Sequence, residues 1–324
     1  MDYFNVEQQK HPNILLVPGE EWTTYHGHGN GIGATHWVDH KIGQPGVTIQ
    51  SSLQGFSAQG AIFSINHPAV NIGNLCIGCA WTYDGFDPKL LGGVEIESRG
   101  YSDFGFVFEG TAVALLEDLS ASGAHVAALG GSDDHQAGQT EETSHISNPT
   151  TYVLADELSV AGILSGIKNR RTFVKLNSPA DPAIDLESSV EPVADTVSAR
   201  STVFQATVTG ADPSVGAQFR WVKNGVVGEF VDVTSDPFVV ELGADASAAG
   251  PERVRAEVFV NDQPTTVTSY LWLQLDATGP DGDAPAASSS GCSAAPSAPR
   301  GFAFGGLSLA ALAAFGWSRR RRRI

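Results

Sequence analysis

Short apolar runs that end in a histidine or an acid dominate the first half of this chain and restrict what it can fold into. Residues 14–17 (Ile-Leu-Leu-Val) stop at Pro18-Gly19 and lead to Glu20 and Glu21. Residues 60–65 deliver Asn66-His67-Pro68, and Pro68 blocks continuation, so His67 stands at a strand end. Residues 93–97 (Gly-Val-Glu-Ile-Glu) are a third run, and 127–129 lead through Gly130-Gly131 to Ser132-Asp133-Asp134-His135. Runs this short read as buried strands. A helical pattern at 111–122, with Val113, Leu115, Leu116 and Leu119 apolar, separates two of them. Strands alternating with helices predict a parallel α/β sheet or barrel, whose chemistry sits at the carboxyl ends of the strands.

On an extended segment Asp133 and His135 point to the same side. A carboxylate and an imidazole converging there can bind a divalent metal; the plainer reading is a polar loop capping the next helix. The recurrence of His, Asp and Glu at several strand ends predicts a metal centre where one motif alone would not. Histidines and glycines also alternate through 25–33 (Tyr-His-Gly-His-Gly-Asn-Gly-Ile-Gly). Arg171 either reaches an anionic substrate or neutralises the end of a helix predicted over 159–167. Cys76 and Cys79 form a lone Cys-x-x-Cys, with no second pair to complete a zinc site, and are expected as buried thiols or a local disulfide.

From about residue 180 the pattern becomes β-rich, with an Asn224-Gly225 hairpin turn. A small antiparallel β-sandwich over 185–277 is expected, with no cluster of catalytic residue types. The expected organisation is therefore 1–180 as the catalytic domain, 185–277 as the sandwich, 278–300 as a flexible linker and 301–324 as a tail. The tail joins an uncharged apolar run, 301–317, to arginines at 319–323, the pattern of a transmembrane segment with a cytoplasmic end. Net charge is −17; six of the 19 basic residues lie at 300 and 319–323, leaving 13 against 36 acids in the body. Such a body has no electrostatic affinity for nucleic acid. Residues 1–10 are polar and do not form a signal peptide, so the beginning of the reading frame is expected to be truncated.

Taken together, Pro18-Gly19-Glu20-Glu21, Gly27-His28-Gly29-Asn30, Ile65-Asn66-His67-Pro68 and Gly130-Gly131-Ser132-Asp133-Asp134-His135 resemble the PHP superfamily, and most closely its CehA/McbA branch of metal-dependent hydrolases. Asn148-Pro149-Thr150-Thr151 and Arg170-Arg171-Thr172-Phe173-Val174 are similar to how that branch ends. The resemblance implies a distorted (β/α)7 barrel holding two or three divalent metals: zinc, manganese or iron. Here the barrel would be partial, because the opening His-x-His strand and the later Asp-His strand have no counterpart before residue 14. Carried over by motif, Glu21 would be the ligand that can bridge metals, His28 would serve the third metal, His67 would be a terminal ligand, and Asp133 and His135 would close the site and act in catalysis. Glu20, His26, His36 and His40 fall off the pattern. Residues 290–293 (Ser-Gly-Cys-Ser), the apolar span and the arginines resemble the MYXO-CTERM sorting tail, which implies a sorting protease and a cell-envelope or surface location with at least transient membrane anchoring.

The function expected is a metal-dependent hydrolase of small phosphoesters, with Arg171 as a substrate contact. Carboxylic or carbamate esters are the alternative substrates. A non-catalytic surface-binding protein with a degenerate barrel is the alternative function, under which the chain would be inactive.

Overall fold

A computed structural model describes residues 2–71, 73–98, 105–135 and 146–276. In chain order the elements are α1 (Asp2–Lys10), β1 (Gly19–Thr24), β2 (Gly27–Ile32), α2 (Ile49–Ala58), β3 (Ile62–Asn66), β4 (Leu91–Ser98), α3 (Gly105–Ala121), β5 (Ala127–Gly131), β6 (Thr150–Val153), α4 (Val160–Lys168) and β7 (Thr172–Lys175). The β-rich half adds β8 (Ala183–Ser188), β9 (Thr196–Ser198), β10 (Ser201–Thr209), β11 (Ala217–Lys223), β12 (Val226–Val227), β13 (Val231–Asp232), β14 (Phe238–Asp245), β15 (Glu252–Val260), β16 (Gln263–Thr268) and β17 (Leu271–Gln274).

β1 to β5 form one mixed sheet in chain order. β1–β2 and β2–β3 are antiparallel, whereas β3–β4 and β4–β5 are parallel. One face carries Trp22, Phe63, Ile65, Val94 and Ile96 into the main core, against Leu53 and Phe56 of α2 and Leu116 of α3. The glycines of β2 face that core too. A Cβ on Gly27, Gly29 or Gly31 would lie 2.2–2.4 Å from the rings of Trp81, Phe63 and Phe56 respectively. Bare backbone at alternate positions admits three aromatic rings, and period-two alternation then turns His28 and Asn30 to the other face. There, Ile62, Ala127 and Leu129 pack on Ile163, Leu164 and Ile167 of α4. α4 starts at an N-cap, Ser159, which accepts from the Gly162 amide.

The expected (β/α)7 barrel, even a partial one, is not what forms. The described chain is mostly β-sheet, and only three strands of the first sheet are parallel. The strand expected at 14–17 has no sheet partner; β1 begins at Gly19 and carries Glu21 within it. The open edge of β5 is met by hydroxyls where a barrel would supply a ladder. The Ala128 amide donates to Ser269 Oγ (2.8 Å), Ser269 and Thr172 hydroxyls lie 2.6 Å apart, and Thr172 Oγ1 donates to the Ala128 carbonyl (3.0 Å). Thr151 Oγ1 likewise accepts from the Gly130 amide and donates to its carbonyl. Both polar groups of each edge residue are thereby satisfied without a neighbouring strand.

β6 and β7 join a nine-stranded sheet that continues into the β-rich half, with Val174 paired to Val267 across β7–β16. A three-stranded sheet, β14-β10-β8, packs on it through Ile184, Ala206, Val208, Phe219, Ala256 and Val258. The Asn224-Gly225 turn forms, both residues at positive φ, between β11 and β12. Glu117 of α3 ties the halves together: it pairs with the buried Arg255 at 2.8 Å and accepts from Tyr270, while Arg255 also reaches Glu257. The transmembrane segment expected in the tail falls on residues that are not described. Among the described residues no helix is long and apolar enough to cross a membrane. The linker at 278–300 and the tail at 301–324 lie outside the described residues.

Candidate metal centre

The polar face of the first sheet, above α4 and at the carboxyl ends of β3 to β5, gathers the candidate ligands. Thr23 pairs with His28, and His28 with Asn66, so their side chains share this face. Glu95 enters it from β4. His67 directly follows β3 and Asp133 lies two residues past the end of β5, and both adopt positive φ, 29° and 52°. A non-glycine residue there costs on the order of 1–3 kcal/mol, a strain that clusters at functional sites. At His67 the strained backbone is held by a carboxyl group: its amide donates to Glu95 Oε2 at 2.9 Å.

Three imidazoles are oriented in the same way. His28 Nδ1 lies 3.3 Å from Glu21 Oε1. His67 Nδ1 lies 3.2 Å from the Cys79 carbonyl oxygen, and His135 Nδ1 lies 2.8 Å from the Asp133 carbonyl oxygen. Each partner is an oxygen that accepts, so the proton is assigned to Nδ1 and Nε2 keeps its lone pair. Metal-binding histidines are held in this manner by their other ring nitrogen. His28 Nε2 is buried and has no hydrogen-bond partner among the described residues. The His28 and His67 rings are 5.0 Å apart, and the ligand atoms of His28, His67 and Cys79 all lie within 4.8 Å of one another.

The charges form one field. The hydrogen bond from His28 lowers the Glu21 pKa, helped by His67 and His135. Burial lowers that of His67, favouring the neutral imidazole a metal needs, against the opposing charge of Asp133. Burial raises Asp133, and pushes Glu95 up to about 8, with Asp133 and Glu21 adding to the latter. Glu21, His28, His67, Asp133 and His135 thus influence one another electrostatically on this face, while among the described residues the group whose ligand atoms all lie within 4.8 Å is His28, His67 and Cys79. His28 and His67 form a buried floor; Glu21, Asp133 and the well-exposed His135 form the rim.

Arg171 is not brought there. Thr172 Oγ1 meets Ala128, and a Cβ on Gly130 would meet Val174, so β7 runs parallel to β5 with Arg171 at the opposite end from Asp133. Arg171 pairs with Asp156 at 3.3 Å and lines a separate cavity of about 270 Å3. Sequence reasoning passed over Glu95, whose signal was a pair of acids, Glu95 and Glu97, at alternate positions of an otherwise apolar strand. The Cys79 contact to His67 is made by a backbone carbonyl in the following loop, which leaves no signal in the sequence. Gly78 lets that loop dock: it has φ +83°, and a Cβ there would lie 2.0 Å from the Thr24 carbonyl oxygen. Cys76 and Cys79 are joined as a disulfide. Thr23, next to the floor, lines a cavity of about 510 Å3 together with Tyr25, His40, Lys41, Ile42 and Ile77.

No family model matches the chain, and no curated protein matches it. Among solved structures it is similar to a two-domain protein from Bacteroides vulgatus ATCC 8482 containing a predicted PHP-like metal-dependent phosphoesterase. That match has 19% identity and a TM-score of 0.41, and covers 83% of this chain and 78% of the other. It is also similar, over 29% of its length, to the CARDB domain of a Pyrococcus furiosus protein in complex with di-metal ions, with 17% identity, a TM-score of 0.22 and 89% of that domain covered.

Proposed function

We propose that the chain is a metal-dependent hydrolase of small phosphoesters, built on the polar face of the first sheet. The observation that carries this reading is the set of three imidazoles, each tied at Nδ1 to an oxygen and left with its Nε2 lone pair, one of them buried without a partner. The order of the motifs, which resembles that of the PHP superfamily, supports metal-dependent hydrolysis, and carboxylic or carbamate esters are the alternative substrates. A donor set of neutral imidazoles and carboxylates suits zinc, manganese or iron.

When bound, a divalent ion supplies a Lewis acid and draws the pKa of water from about 15.7 towards about 7. His28 and His67 would hold it at the floor, with Glu21, Asp133 and His135 at the rim. Burial makes Asp133 a stronger base than an exposed aspartate, suited to hold a water proton at its carboxylate. Glu21 orients His28. Glu95 keeps the His67 backbone in its strained turn. The cavity beside Thr23 offers Lys41 to an anionic group and Ile42 and Ile77 to an apolar one.

The test is metal content by mass spectrometry together with hydrolysis of p-nitrophenyl phosphate and p-nitrophenyl acetate. Asp133→Ala should lower metal content and turnover together, and His36→Ala should leave both unchanged. Faster turnover of the acetate than of the phosphate would assign the site to carboxylic esters. Full metal occupancy in Asp133→Ala would refute its place in the centre.

A further inference from the structure

The Cys76–Cys79 pair has no part in that reading, yet it touches the floor twice. The Cys79 carbonyl orients His67, and the Cys79 sulfur is one of three buried ligand atoms that lie within 4.8 Å of one another. We propose that this pair is a redox switch: reduction frees Cys79 to join His28 and His67 as the third ligand of a soft, two-nitrogen, one-sulfur site for zinc or a similar ion. The proposal rests on the reading that His28 and His67 bind metal.

In the disulfide each sulfur is bonded to the other, so Cys79 offers no thiolate. Only the thiolate is a strong metal ligand. The two cysteines differ in access, because Cys76 is partly exposed whereas Cys79 is 3% exposed. A dithiol reductant therefore attacks the Cys76 sulfur. The S–S bond breaks, its electron pair leaves on Cys79, and a mixed disulfide forms at Cys76. The second thiol of the reductant then releases Cys76 as a thiol and closes the reductant's own disulfide. Overall two electrons and two protons pass from the dithiol to the pair. Cys79 meets the metal as thiolate, its proton going to solvent. The Nε2 of His28 is buried and has no hydrogen bond among the described residues to compete for its lone pair. Thiolate with imidazole selects zinc over the harder ions that carboxylates and water suit. Reduction would thus change which metal the floor prefers as well as how tightly it binds.

The test is a cobalt(II) titration of the full chain carrying Cys292→Ser, which removes the third cysteine, with and without a dithiol. Sulfur coordination appears as a charge-transfer band in the near ultraviolet. The oxidised protein should bind cobalt without the band. The reduced protein should bind at least about tenfold tighter, with the band. Cys76→Ser should show the band with no reductant present, and Cys79→Ser should lack it in every state. Circular dichroism checks that both variants fold; if Cys79→Ser does not, the band in unreduced Cys76→Ser decides. Tight binding with no band in the reduced protein and in Cys76→Ser would overturn the switch and leave His28 and His67 as ligands. Failure of any form to bind cobalt would overturn both.

Discussion

Glu95 makes the metal-free protein sensitive to alkali in a way one isosteric substitution should abolish. Its carboxyl is fully buried, and its pKa stands at about 8 against an ordinary 4.5. Between those two values the folded state binds one more proton than the unfolded chain, so stability falls as pH rises. Below 4.5 both states are protonated and nothing is lost. Each pH unit in the window costs about 1.4 kcal/mol, or about 5 kcal/mol across it. Glu95→Gln keeps an oxygen to accept from the His67 amide and cannot ionise. Urea unfolding in the presence of a chelator, from pH 4.5 to pH 8.5, should find the two proteins equal at the acid end. At the alkaline end the variant should be the more stable by about 5 kcal/mol. Asp133, whose pKa is also raised, contributes with the same sign in both proteins, so the difference between them isolates Glu95. Superimposable pH profiles would refute the buried, protonated Glu95.

Gly29→Ala should lower stability by about 3 kcal/mol in urea unfolding, because the new Cβ would stand 2.2 Å from the Phe63 ring and 2.8 Å from the Ser64 carbonyl oxygen. A loss below about 0.5 kcal/mol would mean that the core ring moves freely. Glu117→Ala should lower stability by about 3 kcal/mol, since Arg255 is buried and loses one of its two carboxylate partners. Wild-type stability in that variant would show that Glu257 suffices.

Where a segment's own residues decide its structure, the sequence was readable. β3, α4, β7 and the Asn224-Gly225 turn follow from a short apolar run, a Ser cap with helical spacing, a β-branched and aromatic run, and a turn that needs positive φ. The β1–β2 hairpin does not follow in this way. Glu-Glu-Trp-Thr-Thr and Gly-His-Gly-Asn-Gly contain no aliphatic run, and the rings that occupy the space beside the glycines come from positions 56, 63 and 81. The sequence therefore points to a strand at 14–17, five residues early. The barrel was an extension of the parallel order of β3 to β5, and nothing near Ala128 announces that its edge partner is Ser269. Strand ends drew attention to Glu21, His67 and Asp133, while Glu95, inside its strand, looked like a residue of the wall. For Arg171 the sequence offers an anion contact or a helix end, and neither says at which end of β7 it stands.

The hydroxyls along β5 have a consequence for how the protein can fail. A hydrogen-bonded ladder spreads its loss over many residues, whereas this seam depends on side chains at 151, 172 and 269, far apart in the chain. Thr172→Val or Ser269→Ala would keep nearly the same volume and leave buried backbone groups of Ala128 without partners. Such unpaired groups on the edge of β5 are open to pairing with another chain whenever the seam opens. Aggregation from this seam would then begin at positions that carry no charge, touch no ligand and look interchangeable in sequence.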